Sequence, residues 1–76
     1  MKVIVVHKAS GRITTVAFVA DNVGYEGGPG ERVIESDPRT IGFDIDGSAP
    51  NPERLSEHAK RIVKEFRVIK GAIVRR

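Results

Sequence analysis

The 76-residue sequence predicts an α+β domain: an antiparallel meander sheet of four to five strands with one C-terminal amphipathic helix packed on one face. Three observations carry this. Residues 1–46 break into short runs rich in Val and Ile, separated by Gly, Pro and Asp, as strands and turns do. Leu55, Ala59, Ile62, Phe66 and Ile69 recur at steps of four and three, which makes one helical stripe. A chain this short holds one domain, residues 1–76, and buries little more than ~60% of its unfolded surface.

The elements follow in order. Lys2–Lys8 reads as a strand with Val3, Val5 and His7 on one face and Ile4 and Val6 on the other. Both faces are mostly apolar, so this strand is expected to be central or covered on both sides. Ala9–Arg12 is a four-residue hairpin loop with a bulge, Gly11 taking the positive φ. The second strand runs from about Arg12 to Ala20, with Thr14, Val16, Phe18 and Ala20 on one face. Asp21–Glu31 holds four glycines and a Pro-Gly turn signal, and is a long loop. Arg32–Ser36 is a short strand, and Asp37–Thr40 a turn built on Pro38. Thr40–Asp46 alternates cleanly and predicts a further strand, with Ile41, Phe43 and Ile45 inward and Asp44 and Asp46 outward. Asn51 caps the helix and Pro52 opens it; Glu53 and Glu57 come early and Lys60, Arg61, Lys64 and Arg67 late, which suits the helix dipole. Gly71 closes the helix, and Ala72–Arg76 is favoured as a short edge strand over a helical continuation.

Composition narrows the function. There is no cysteine, so no disulfide staples the fold and a zinc site would lack thiolates. The first apolar run, Val3–Val6, is too short for a signal-peptide core or a membrane span, and a soluble cytoplasmic protein is expected. Charge is uneven: residues 1–50 carry five Lys/Arg against seven Asp/Glu, and residues 51–76 carry eight against three.

Each candidate site has a plain structural reading beside it. The Asp44–Ser48 run, D-x-D-G-S after an apolar strand, is similar to the nucleophile motif of the haloacid dehalogenase phosphatases. That resemblance implies an attacking Asp44, an acid/base Asp46 and a bridging magnesium. It covers five residues, Ser48 stands where the family has threonine, and those enzymes need a large parallel sheet that 76 residues do not supply. As an EF-hand loop the stretch offers Ala49 and Leu55 where glycine and glutamate belong. Asp44 and Asp46 are therefore expected on the solvent side of a strand end, with metal-dependent chemistry there as the lesser alternative. Gly24, Gly27, Gly28 and Gly30 match neither phosphate-loop spacing, and they precede a strand rather than a helix. His7 and His58 read as packing histidines, with no third metal ligand to join them.

The function expected is thus a non-enzymatic protein-binding or assembly module that self-associates, with no cofactor, no metal and no membrane. One helix covers one face of the sheet, so the other apolar face of the first strand would be an interface. Val3, Val5 and His7 on the sheet face, and Tyr25 on the glycine loop, are its candidate partner contacts. The alternative is nucleic-acid binding by the basic end: Lys60, Arg61, Lys64, Arg67, Lys70, Arg75 and Arg76, with Glu65 the one acid among them.

Overall fold

A computed structural model describes residues 1–43 and 51–76. The fold is α+β, with one helix and antiparallel sheets, but the strands do not form one meander. Three of them, β1 (Lys2–Lys8), β2 (Ile13–Val19) and β3 (Glu31–Ser36), make a sheet in the order β2-β1-β3. After a 3₁₀ turn (Pro38–Ile41) come α1 (Pro52–Glu65) and a separate hairpin of β4 (Phe66–Ile69) and β5 (Ala72–Arg75).

The expected meander fails because β1, apolar on both faces, takes the centre. β2 ends with Val19 opposite Lys2, whereas β3 starts with Glu31 opposite Lys8. The link between them, residues 20–30, therefore runs the length of β1. Seven strand residues span about 23 Å, and eleven extended residues reach at most about 40 Å, so the link is drawn out rather than coiled. Gly27 of the link lies against the face opposite the helix. A Cβ on Gly27 would stand 3.4 Å from Val33 Cγ2 and 3.1 Å from Glu31 Cβ, and Val33 pairs with Val6 on that face. The Glu31 carboxylate fastens the crossing: Gly28 N–H donates to Oε1 at 2.9 Å, and the Thr14 hydroxyl lies 3.1 Å from Oε2.

The consequence overturns the uncovered-face expectation. Val3 and Val5 are fully buried, packed with Ile62 of α1, while Ile4 and Val6 on the opposite face are only 1% exposed. One chain hides all four. The partner contacts expected at Val3, Val5 and His7 fall on the helix side, inside the core rather than on a free surface.

The first hairpin forms as expected. Lys8 N–H donates to the Arg12 carbonyl and Gly11 N–H to the Lys8 carbonyl, both at 2.9 Å, with Gly11 at φ +92°. A bulge between Val6 and His7 shifts the register, so that Val16 and Ile13 both serve the core side and Thr14 does not. That separates Thr14 from the face it was expected to share with Val16 and Phe18, because one extra residue reverses the alternation before it.

In the described part of the strand expected over Thr40–Asp46, Thr40 and Ile41 instead end the 3₁₀ turn Pro38–Ile41. The Asp37 carboxylate accepts from Arg39 N–H at 2.9 Å, Pro38 sits at the first turn position, and Gly42 closes the turn on the Arg39 carbonyl. Strong local capping outweighs the alternation there. The inward side is as expected at two positions: Phe43 is buried and Ile41 packs against the core. Asp44, Ile45 and Asp46 lie outside the described residues, and with them the cation chemistry considered for the two aspartates.

α1 starts as expected, with the Asn51 side chain accepting from Glu53 N–H at 2.9 Å and Pro52 at the first helical position. It ends four residues before Ile69. Phe66 turns extended (φ −125°, ψ 159°), and Phe66–Ile69 pairs with Ala72–Arg75 across a two-residue turn. Lys70 and Gly71 both have positive φ, +50° and +76°, the requirement of the tight hairpin turn that matches strand twist. Val68, Ile69, Ile73 and Val74 prefer this hairpin to a helix, whose preceding turn crowds branched Cβ atoms.

A backbone hydrogen bond joins the hairpin to the first hairpin loop of the sheet. Val68 N–H donates to the Gly11 carbonyl at 2.9 Å, and a Cβ on Gly11 would lie 2.2 Å from the Val68 carbonyl oxygen. A Gly11→Ala variant meets both that collision and the cost of a left-handed backbone. It is expected to lose about 3 kcal/mol of stability, read from urea unfolding. A loss under about 0.5 kcal/mol, the range of ordinary surface changes, would show that this docking contact is not held.

Candidate functional site

The docking of β4 on Gly11 brings two distant basic segments together. Lys8 and Arg12 flank the first hairpin loop, and Arg67 and Arg76 come from the C-terminal hairpin and the residue after it. All four line one cleft of about 900 Å³. Ser10 and Thr14 add hydroxyls to its wall, and Ile13 and Val63 form an apolar floor. Among the described residues no acid lines it. The ion pairs among those residues are Met1 N-terminus–Asp21, Lys2–Glu35, Arg39–Asp37 and Arg61–Glu65, and none of them involves a cleft cation.

Arg76 is held in place by its own backbone and side chain. Its N–H donates to the Glu65 carbonyl at 2.8 Å, and its Nε–H to the Phe66 carbonyl at 3.2 Å. Beside the cleft wall stands Glu31, whose carboxylate is taken up by Gly28 N–H and the Thr14 hydroxyl.

The seven residues of the expected basic end are thus dispersed. Arg67 and Arg76 enter the cleft, while Lys60 and Lys64 line a second groove of about 360 Å³ between β2 and α1. Arg61 pairs with Glu65 at 3.1 Å and lies over the Phe43 ring at 5.2 Å. Arg75 lies over the Phe66 ring at 5.1 Å, and Lys70 occupies the hairpin turn. Lys8 and Arg12 escape a reading of the sequence because each is a single cation in its acidic half. Only the Gly11–Val68 contact reveals them. The Lys-Gly pair between branched residues, Val68-Ile69-Lys70-Gly71-Ala72-Ile73, is the available signal for the hairpin that carries Arg67.

The other expected site residues do not gather. His7 is buried, its Nδ1 2.9 Å from the Lys8 carbonyl oxygen; a carbonyl only accepts, so Nδ1 carries the proton. Tyr25 is half exposed on the crossing link. His58 stands edge-on to Phe43 and Phe18, with centroids 4.9 and 6.5 Å away, and its buried Nδ1 has no partner among the described residues. No cluster of three or more His, Asp or Glu suited to a metal occurs among the described residues. No helix among them is long and apolar enough to cross a membrane.

Set against known proteins, the chain matches no family model, no curated sequence and no solved structure.

His58 supplies a test of the packing around the core. A His58→Phe variant keeps the ring between Phe18 and Phe43 and removes the unpartnered nitrogen. It is expected to gain about 1 kcal/mol, a rise of about 4–8 °C in Tm for a domain this size. A fall in Tm would show that Nδ1 makes a hydrogen bond in solution.

Proposed function

We propose that this protein is a non-enzymatic binding module for nucleic acid, which it holds by the phosphate backbone in the cleft of Lys8, Arg12, Arg67 and Arg76. One observation carries the reading: four cations from two separate hairpins converge on one concavity that no acid lines among the described residues. Like charges so placed repel, and a bound polyanion offsets that repulsion while releasing its own counterions. Three of the four are guanidiniums, whose planar fork of donors fits phosphate oxygens. The cleft holds no aromatic ring among its lining residues, which favours backbone contacts over base recognition.

Self-association rested on an open sheet face, and Ile4 and Val6 on that face are buried within the one chain. The exposed large apolar side chains among the described residues are Val23 and Tyr25 on the link, Val63 on α1 and Ile69 on the hairpin. They are spread over separate elements rather than collected in one patch.

Titration with mixed-sequence DNA and RNA at two salt concentrations tests the proposal. Affinity is expected to fall steeply with salt. Arg67→Gln is expected to reduce the log–log salt slope by about 1, the share of a single neutralised phosphate. Arg39→Gln removes the same charge beyond the far end of β3 and is expected to change nothing. Salt-independent behaviour, or equal effects of the two variants, would overturn the assignment.

A further inference from the structure

We infer that the basic cleft is one end of a longer track along the seam of β2 and α1, and that this track takes single-stranded nucleic acid in preference to duplex. The inference rests on the proposed nucleic-acid binding and specifies its substrate. Thr14 and Val63 line both the cleft and the seam groove, so the two concavities adjoin. Ser56, Ala59, Lys60, Val63 and Lys64 stand at positions i, i+3, i+4, i+7 and i+8, and therefore form one face of α1. Between Ser56 and Val63 that face rises about 10 Å.

The seam differs from the cleft in chemistry. Its floor is apolar, built from Val16, Ala59 and Val63, and its helix side carries Lys60 and Lys64. Val63 is 37% exposed although it lies between two grooves, and no described side chain covers it fully. A duplex turns its phosphates outward and keeps its base faces stacked inside, so it gains nothing from an apolar floor. An unpaired strand lays its phosphates toward the cations and its bases on Val16 and Val63. The floor is aliphatic and offers no hydrogen-bond pattern, so the contact accepts any base. Six cations along the two grooves, with no acid lining either among the described residues, give the charge complementarity that such a strand needs.

The experiment compares a single-stranded mixed-sequence oligonucleotide with a blunt duplex of the same length, by fluorescence anisotropy at one salt concentration. The single strand is expected to bind about tenfold more tightly, the scale of burying one valine side chain. Val63→Ser, at an exposed position, is expected to weaken the single strand more than the duplex and so to remove most of that preference. Lys60→Gln provides a second variant and is expected to weaken the single strand more than the duplex. Equal or tighter binding of the duplex, with its salt sensitivity intact, would overturn the track and leave the proposed function standing. Displacement of the single strand by poly-glutamate at equal charge concentration would overturn it in favour of an acidic protein partner. Binding of neither nucleic acid would remove both.

Discussion

A strand that is apolar front and back needs cover on both sides, and the rest of this small fold follows from that need. Leaving Ile4 and Val6 in water would forgo about 3–6 kcal/mol, set against a net stability of about 5–15 kcal/mol for a typical domain. The chain meets the need with two different coverings. Ile62 of α1 and the C-terminal hairpin pack over Val3 and Val5, and Gly27 of the link lies against Val33 on the face of Ile4 and Val6. The link does this without secondary structure of its own. Its small residues let the backbone approach closely, as Gly27 does at Val33. Its two ends are tied by the Glu31 carboxylate and by the Met1 ammonium, which lies 3.1 Å from Asp21.

With the sheet closed on both sides, the surface left for work is where the elements meet. The contact of Gly11 with Val68 is the decisive one. It replaces a side chain with a backbone-to-backbone approach, and it fixes the distance between two hairpins whose cations would otherwise drift apart. The stacking of Arg61 on Phe43 and Arg75 on Phe66 occupies other cations in packing, where their apolar planes cover the core. The cations divide accordingly: Arg61 and Arg75 cover core rings, while Lys8, Arg12, Lys60, Lys64 and Arg67 make no ion pair among the described residues.

The strands and the helix start are legible in the sequence because their signals are local. Alternation in Lys2–Lys8, Gly11 at the hairpin, and Asn51-Pro52 at the helix start each act within a few residues. The order of strands is legible only in part. A strand apolar on both faces argues for a central position, and that argument outranks the tendency of sequential strands to neighbour one another. Two elements mislead for the same reason. The stripe through Phe66 and Ile69 fits a helix, yet branched residues and a Lys-Gly turn make it a hairpin; the alternation from Thr40 fits a strand, yet Asp37 and Pro38 cap a turn. Half of the cleft stays hidden because Lys8 and Arg12 meet Arg67 and Arg76 only through a tertiary contact.

The central claim is that one chain covers both faces of β1 by itself. The protein has no cysteine, so single thiols introduced at Val6 and at Tyr25 report burial directly. At high dilution, where any oligomer has dissociated, the thiol at position 6 is expected to react with a maleimide orders of magnitude more slowly than the thiol at position 25, because it reacts only when the fold opens. Equal rates for the two positions at high dilution would contradict the account.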